Sequence, residues 1–328
     1  MDQFQGKIAV VTGGGTGMGR ELCIQLAREG AHVAMCDVSE DNMTHTRQLC
    51  EAVAPPGTRI STHLADVSQR KDVIAFRDAV GEVHDSNHIN LLFNNAGIGG
   101  GGSFVDGETD EWEKTFEVCW NGVYLCCRAF MPLLLASSEG HVINTSSVNG
   151  FWASIGPTTA HTAYSAAKFA VKGFTEALVN DFKLHAPHLK ASVVMPGHIG
   201  TSIVINSGKI LGRDPKELPE DAFEEIRERA AEMGFPVENL SNDQIRQFMV
   251  QVGENFRDAA PMNAEDAAVV ILDGVRSGRW RILVGEDAVI LDEMVRARPE
   301  EAYGEAFYEE LLQQTGWALG EMARSNPG

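Results

Sequence analysis

The most constraining feature of this sequence is the regular alternation of short apolar runs with longer stretches of helical character. The apolar runs of strand length are residues 7–12, 32–37, 59–66, 89–95, 141–146, 190–196 and 279–285. The clearest helical stretches lie between them, at 17–29, 40–53, 69–83, 109–135, 163–185 and about 264–276. Continuous apolar strands separated by helices are typical of parallel sheets that are buried on both faces. The alternation therefore predicts a doubly wound α/β fold, with a seven-stranded parallel sheet and right-handed crossovers.

The composition is that of an ordinary globular chain, and its charge argues against two classes of partner. The 328 residues are 44% apolar and 22% charged, which allows a substantial core. A formal net charge of −19 argues against binding to nucleic acid or to an anionic membrane, because both require clustered Lys and Arg. We see no apolar run that approaches the roughly 18 residues of a membrane helix, and we expect a cytoplasmic protein.

The cysteines show no spacing that is typical of a metal site. They are Cys23, Cys36, Cys50, Cys119, Cys126 and Cys127. The sequence contains no Cys-x-x-Cys pair and no nearby histidine at the spacing of zinc ligands. We therefore expect buried, reduced thiols and no bound metal.

A glycine-rich turn, TGGGTGMGR, follows the first predicted strand. Gly13, Gly17 and Gly19 leave room for a tight turn and for a pyrophosphate at the N-terminus of the next helix. Doubly wound sheets bind ligands at the carboxyl ends of their strands, which is where this turn lies. The alternative is a turn without a ligand, but the position between a strand and a helix favours a dinucleotide.

Asp37 ends the second predicted strand, at a position where a carboxylate can accept hydrogen bonds from an adenosine ribose. Its charge would repel a 2′-phosphate, and neither Thr16 nor Val38 supplies a compensating cation. The residue therefore favours NAD over NADP. The alternative is an aspartate that only caps the turn after the strand.

Tyr164 and Lys168 lie four residues apart in a stretch that predicts an amphipathic helix, so both side chains occupy one face. Proton transfer by the phenol becomes easier beside a cation, because a positive charge lowers the pKa of a nearby phenol. The alternative is a structural pair, in which the tyrosine covers the core edge and the lysine extends to water. The pair alone does not decide between them.

Together these motifs resemble the short-chain dehydrogenase/reductase family, whose members have a Rossmann-type fold. The resemblance runs through residues 6–202 in order, beginning with the motif T-G-x-x-x-G-x-G at Thr12 to Gly19. The further matching positions are Asp37, Asp66-Val67, Asn94 to Gly97, Asn121, Ser147, Tyr164 with Lys168, Pro196-Gly197 and Thr201. So many motifs in register favour a catalytic role for the tyrosine and lysine pair.

The resemblance implies four catalytic residues. Tyr164 would exchange a proton with the substrate oxygen, and Lys168 would lower the pKa of the phenol and bind the nicotinamide ribose. Ser147 would hydrogen-bond the substrate oxygen, and Asn121 would hold a water that connects Lys168 to solvent. For Asn121 the alternative is a helix asparagine that is satisfied by backbone groups.

The resemblance also implies a set of cofactor contacts along the carboxyl edge of the sheet. Asp66 and Val67 would flank the adenine ring, and Thr201 would fix the carboxamide. The full set is Gly13, Thr16, Gly17, Met18, Gly19, Asp37, Asp66, Val67, Asn94, Ala96, Gly97, Tyr164, Lys168, Pro196, Gly197, Ile199 and Thr201. Ordinary loop hydrogen bonding stays open as an alternative for Asn94. The implied cofactor is NAD, with NADP less favoured.

Two departures from the family pattern concern the substrate. Ser147 and Tyr164 are 17 positions apart, which is more than the family commonly has, so FWASIGPTTAHTA is expected to bulge above the site. The expected substrate contacts are Ser147, Phe151, Trp152, Tyr164 and His198, with His161 a further possible wall. Simple loop packing explains Phe151, Trp152 and His161 equally well.

The second departure is the length of the segment 202–262, whose patterns predict two or three helices over the substrate. The expected organisation is one domain, with a core of 6–201 and 263–285, a helical lid at 202–262, and a helical C-terminal extension at 286–328. Phe307, Leu311, Leu312 and Trp317 are its expected apolar contacts. An apolar lid favours a medium or large, partly hydrophobic substrate.

The resulting hypothesis is an NAD-dependent oxidoreductase that interconverts a secondary alcohol and a ketone. Two alternatives are an enzyme of other chemistry on this fold, such as an enoyl reductase, and a dinucleotide-binding redox sensor without turnover. The family resemblance further implies a homodimer or homotetramer that assembles through 109–135 and 163–185. Cys126, Cys127, Phe130 and Phe174 would suit such an interface or an ordinary core.

Overall fold

The fold is described from a computed structural model, which covers residues 1, 3–157, 159–232, 240–317 and 319. Nine strands lie in this part of the chain. They are β1 (Ile8–Thr12), β2 (His32–Asp37), β3 (Ile60–Leu64), β4 (Leu91–Asn94), β5 (Gly140–Thr145), β6 (Leu189–Pro196), β7 (Ile199–Gly200), β8 (Met262–Asn263) and β9 (Arg281–Val284). Seven of them form one sheet in the order β3-β2-β1-β4-β5-β6-β9, and every neighbouring pair is parallel. The predicted seven-stranded parallel sheet is confirmed.

The strand order determines where along the sheet a binding crevice opens. The chain moves outward from β1 to β3 on one side, then returns to β4 on the other side of β1. The loops after β1 and β4 therefore diverge, and a crevice opens between them at the carboxyl edge of the sheet. The glycine-rich turn follows β1 at this point.

Helices cover both faces of the sheet. The helices that flank it are α1 (Gly17–Arg28), α2 (Glu40–Val53), α3 (Arg70–Val83), α4 (Thr109–Phe116), α5 (Gly122–Leu135), α6 (Thr162–His185) and, later in the chain, α10 (Ala264–Arg276). One buried cluster joins α3, α5 and α6 to the sheet, and a second cluster joins α1, α2 and α10 to its other face. Apolar side chains on both faces of each central strand explain why the strand runs are continuously apolar.

Helices α4 and α5 are joined by a π-helical segment, Glu117–Asn121. The resulting 27-residue helix, Thr109–Leu135, is long and apolar enough to cross a membrane by length and composition alone. The expectation that no segment approaches that length was wrong. However, 56% of its most apolar window is buried within the protein, as in the core helix of a globular domain, so a single helix of this kind is weak support for a membrane span.

The segment between β7 and β8 is helical, as predicted, and its role as a lid stays a prediction. It contains α7 (Ile203–Ile210), α8 (Ala222–Glu232) and α9 (Asn242–Asp258). Ser241 begins α9 with a capping box, in which its hydroxyl accepts from the Gln244 amide and Gln244 accepts from the Ser241 amide. Because β7 pairs with β8, the segment leaves and rejoins the core at adjacent positions.

The C-terminal extension contributes α11 (Glu286–Ala297) and α12 (Glu305–Thr315). Phe307, Leu311 and Trp317 are buried as expected, whereas Leu312 is only half-buried. They belong to a third apolar cluster that also includes Val148 and Trp152. The extension therefore packs on its own chain, beside the serine of the predicted site.

All six cysteines are buried free thiols, as expected. Cys126, Cys127 and Phe130 pack in the core of this chain, so the core alternative explains them and they are not interface residues. Phe174 is partly buried against the same cluster. The dimer or tetramer stays a prediction.

Candidate active site

The glycine turn after β1 has a geometry that other residues would disrupt. Gly13 and Gly17 have positive φ angles of 66° and 55°, which favour glycine. A Cβ on Gly19 would lie 2.0 Å from the Gly13 carbonyl oxygen, and a Cβ on Gly13 would lie 2.8 Å from the Ala96 Cα. The missing side chains thus allow the turn, the start of α1 and the loop after β4 to approach one another.

Asp37 lies beside this turn and lines a cleft of about 300 Å³. Its carboxylate accepts hydrogen bonds from the amides of Gly15 at 3.0 Å and Ser39 at 3.1 Å. Burial raises the pKa of Asp37, although these amides and the Arg20 guanidinium oppose the increase. Arg20 donates to the Gly15 carbonyl oxygen at 3.0 Å, so a cation that the sequence analysis missed supports the turn from behind.

The cleft contains most of the predicted cofactor residues. The predicted residues that line it are Gly13, Thr16, Gly17, Met18, Asp37, Asp66, Val67, Ala96, Gly97 and Thr201. Its remaining wall includes Asn95, Lys114 and residues of the lid helix α7, which sequence reasoning did not assign. Their sequence signals were weak, because neither a single lysine nor an apolar helix face identifies a cofactor wall.

Seven predicted cofactor contacts are not among the residues that line this cleft. They are Gly19, Asn94, Tyr164, Lys168, Pro196, Gly197 and Ile199. Asn94 is the clearest correction: its buried side chain donates to the Asn144 Oδ1 at 2.8 Å, which links β4 to β5. Its neighbour Asn95 faces the cleft instead. Adjacent residues of an extended chain point to opposite sides. A shift of one position therefore determines which of the two asparagines faces the cleft.

Asp66 lines the cleft and is paired with Lys114 of α4. The Lys114 Nζ is 2.8 Å from the carboxylate and also donates to the Ser68 hydroxyl at 3.0 Å. Burial favours a higher pKa for Asp66, but the hydrogen bonds from Lys114 and Ser68 outweigh it and hold that pKa below its usual range. Asp66 is therefore an ionised partner of Lys114 at neutral pH.

Helix α7 closes one side of the cleft. Asn206 donates to the Thr16 hydroxyl at 3.0 Å, and the Gly99 amide donates to the Ser207 hydroxyl at 2.8 Å. Arg213, just beyond α7, lies 3.1 Å from the Glu111 carboxylate. The segment between β7 and β8 therefore contacts the glycine turn, the loop after β4, and α4.

Three of the predicted catalytic residues meet where β5 ends and α6 begins. Ser147 hydrogen-bonds the Tyr164 hydroxyl, and the Lys168 Nζ lies 5.2 Å from the centre of the Tyr164 ring. Lys168 is buried and donates to the Thr145 carbonyl oxygen at 2.9 Å. A Cβ on Gly97 would lie 3.5 Å from the Lys168 Nζ, so the ammonium reaches the edge of the cleft. The helical spacing of four has brought both side chains to one site.

The pKa shifts of this pair arise mainly from burial. Burial raises the pKa of Tyr164 above its ordinary value, a negative charge on the neighbouring Cys119 would raise it further, and the hydrogen bond from Ser147 opposes them. Burial lowers the pKa of Lys168. Burial is therefore the largest influence on the pKa of Tyr164, and the effect of Lys168 on that pKa stays a prediction.

Asn121, the fourth predicted catalytic residue, ends the π-helical segment. The segment packs against α6, the helix that carries Tyr164 and Lys168. A Cβ on the next residue, Gly122, would lie 2.8 Å from the Val67 Cγ2, so the helix also approaches the part of the cleft that Val67 lines. Such π-helical segments are frequent at functional sites, since the extra residue re-aims side chains.

Comparison with known proteins decides the family. The sequence pattern of the short chain dehydrogenase family matches residues 7–210, which is more than half of the chain. The chain belongs to the short-chain dehydrogenase/reductase family. The protein SadH of Mycobacterium tuberculosis (strain H37Rv) is 32% identical over 296 residues, which cover 90% of this chain and 92% of SadH.

Two solved structures of short-chain dehydrogenases/reductases extend the comparison. A protein from Burkholderia phymatum in complex with NAD is similar with a TM-score of 0.71 and 27% identity, over 92% of this chain and 95% of that chain. A metagenomic short-chain oxidoreductase in complex with NADP has a TM-score of 0.52 and 29% identity, over 59% of this chain and 83% of that chain. This chain is thus a member of an oxidoreductase family, with a cleft that fits a nicotinamide dinucleotide.

The predicted substrate contacts of this short-chain dehydrogenase/reductase require two corrections. Trp152 is buried in the C-terminal cluster, where its Nε1 donates to the Ala302 carbonyl oxygen at 2.6 Å, so it is not a pocket wall. Phe151 packs partly buried against the same cluster. His198 is also buried, and its Nε2 hydrogen-bonds the Phe256 carbonyl oxygen of α9 at 2.7 Å. Both buried rings are held by protein groups and are unavailable to a substrate.

His161, by contrast, lies beside the catalytic residues. Its ring centre is 4.7 Å from that of Tyr164, and it is the last residue before α6. Burial lowers the pKa of His161 to about 4, so the imidazole is neutral at physiological pH. Among the residues named from the insertion, it is the one that the fold brings to the phenol.

Proposed function

We propose that this short-chain dehydrogenase/reductase interconverts a secondary alcohol and a ketone with NAD as its cofactor. The observation that carries the proposal is the contact of Ser147 with the Tyr164 hydroxyl, beside the buried Lys168 ammonium. A phenol that is hydrogen-bonded by a serine and flanked by a cation is suited to proton transfer at a substrate oxygen. A binding protein without turnover would have no need of this arrangement.

Each residue of the site has a separate task. Ser147 donates a hydrogen bond to the substrate oxygen and holds it beside the Tyr164 hydroxyl, which gives its proton in the reduction and takes one in the oxidation. Lys168 contributes a positive charge at the edge of the cleft. This charge stabilises the phenolate form of Tyr164 after the phenol has given up its proton. A nicotinamide dinucleotide, when bound, would supply the hydride donor or acceptor.

The cofactor preference follows from Asp37. The glycine cradle at Gly13 and Gly17 accepts a pyrophosphate at the start of α1, and Asp37 then stands at the far end of the cleft. A carboxylate there can accept ribose hydroxyl groups and would repel a 2′-phosphate. The Arg20 guanidinium donates to the Gly15 carbonyl oxygen and to the Thr46 hydroxyl. These hydrogen bonds engage it in the turn, so it does not compensate the charge of a 2′-phosphate. NAD is therefore the proposed cofactor.

The lid supports a medium or large, partly hydrophobic substrate. A helical segment lies between β7 and β8, and its first helix, α7, presents Ile203 and Ile210 to the cleft. A long apolar cover encloses more substrate surface than a short loop would. We also propose a homodimer or homotetramer through α5 and α6, where Tyr124 and Phe169 are 39% and 42% exposed.

The decisive experiment is the absorbance of reduced nicotinamide after purified protein is mixed with NAD or NADP and a graded panel of secondary alcohols. We expect NADH to form, with faster turnover for the bulkier members of the panel. The matched control is Tyr164→Phe, which keeps the ring and removes the proton. Equal rates for that variant, or no turnover with any alcohol despite bound NADH, would contradict the proposal.

A further inference from the structure

The loop that follows Ser147 connects two catalytic residues, and we call residues 148–157 the post-serine loop. At its start, the Asn149 amide donates to the Ser147 hydroxyl oxygen at 3.1 Å. The buried Asn149 side chain donates to the carbonyl oxygens of Trp152 at 3.1 Å and Ser154 at 2.7 Å. The loop is thus ordered from inside by one asparagine. His161 and Tyr164 lie farther along the chain, so the conformation of the loop affects their positions.

The outer side of the post-serine loop is held by the C-terminal extension. Trp152 donates through Nε1 to the Ala302 carbonyl oxygen at 2.6 Å. The Ala153 amide donates to the Tyr303 hydroxyl oxygen at 3.2 Å, and the Trp317 Nε1 donates to the Ile155 carbonyl oxygen at 3.3 Å. Three hydrogen bonds from residues 302–317 therefore reach three loop residues at positions 152–155.

Aromatic packing supports these hydrogen bonds. The Trp152 ring meets Trp317 edge-on at a centre distance of 6.1 Å and lies 6.3 Å from Phe307. Val148, which directly follows the catalytic serine, is buried in the same cluster. A displacement of α12 would consequently reach the residue next to Ser147 through close-packed side chains.

We propose that the C-terminal extension is a clamp on the post-serine loop, in which Tyr303 and Trp317 are positioning residues that determine which substrates fit. The clamp acts through the loop, since neither residue contacts Ser147 or Tyr164 in the described part of the structure. The proposal rests on the proposed function, because the loop affects the substrate only through Ser147, which directly precedes it, and through Tyr164, and only if these two residues hold the substrate. An extension that served stability alone would not need the hydrogen bond that the Ala153 amide donates to the hydroxyl of the 64% exposed Tyr303.

Tyr303→Phe is the sharpest test, because it deletes one hydroxyl from an exposed ring and leaves the apolar cluster intact. Trp317→Phe removes the indole N–H that donates to the Ile155 carbonyl oxygen while keeping an aromatic ring. The matched control is Trp280→Phe, whose ring is 45% exposed and lies outside the clamp. Thermal unfolding of all three variants shows whether each is folded.

The first measurement is amide hydrogen exchange in the post-serine loop, which requires no activity. We expect exchange of residues 152–156 to accelerate by about fivefold in the two clamp variants and to stay unchanged in the control, since each clamp variant loses one hydrogen bond. Unchanged exchange in Tyr303→Phe and Trp317→Phe would overturn the clamp.

The second measurement is steady-state kinetics with 2-propanol and with the largest alcohol that the wild-type protein oxidises. We expect KM for the large alcohol to rise by about fivefold, while kcat with 2-propanol and the NADH dissociation constant stay unchanged. A faster exchange with unaltered KM would overturn the role in specificity. If the wild-type protein oxidises no alcohol, the proposed function fails, whereas the exchange experiment still decides whether the clamp exists.

Discussion

Protonation of His141 should make the stability of this protein strongly dependent on pH. His141 lies on β5, where it is only 1% exposed, and its Nε2 is 2.7 Å from the Ser192 hydroxyl oxygen. Ser192 uses its only proton to donate to the Arg279 carbonyl oxygen. The His141 Nε2 must therefore carry a proton and donate, which leaves Nδ1 as a bare acceptor. Nδ1 is buried and has no partner among the described residues.

A second proton on His141 would be a buried charge without an acceptor. Burial therefore lowers the pKa of His141 to about 3, and the positive charges of Lys190 and the N-terminus add to the effect. The unfolded chain takes up this proton near pH 6.5, so it binds more protons than the native state between pH 6.5 and 3, and stability is lost as the pH falls. From pH 7 to pH 5 the loss amounts to about 2 kcal/mol.

The assay is urea unfolding of the wild-type protein and of His141→Gln at pH 7 and pH 5. A glutamine amide can still donate to Ser192 but does not titrate. We expect the variant to lose about 2 kcal/mol less than the wild type between the two pH values. The matched control is His45→Gln, because His45 is exposed and its ring is solvated in both states. Parallel pH dependence of wild type and His141→Gln would refute the reasoning.

Three further predictions concern the site. Tyr164→Phe should lower kcat by at least about 100-fold and leave NADH binding unaltered, which stopped-flow absorbance and NADH fluorescence can check. Asp37→Ala should reduce the ratio of kcat/KM for NAD to that for NADP by about tenfold or more; an unchanged ratio would show that the carboxylate does not face the ribose. Gly19→Ala should weaken NADH binding by at least about tenfold, because its Cβ would lie 2.0 Å from the Gly13 carbonyl oxygen; wild-type affinity in a titration would contradict this.

The sheet, the glycine turn and the tyrosine and lysine pair follow from the amino-acid sequence alone. Each of these depends on a local period or spacing: strands follow from apolar runs, and two side chains four residues apart meet on any helix. Residues that directly follow a strand must lie at the carboxyl edge of the sheet, which is why Asp37 and Gly13 were placed correctly beside the cleft. Such features need no knowledge of distant contacts.

Only the tertiary structure decided which side of its strand or loop each remaining residue faces. Asn94 points to Asn144 because β4 pairs with β5, and the pairing partner lies 50 positions away. Trp152 is buried because the C-terminal extension returns to cover it, and the two are separated by 150 positions at the Ala302 contact. The pKa of Tyr164 is raised because surrounding elements exclude water from the phenol. The burial and the hydrogen-bond partners of a residue depend on which distant segments contact it. No local sequence pattern shows which segments those are.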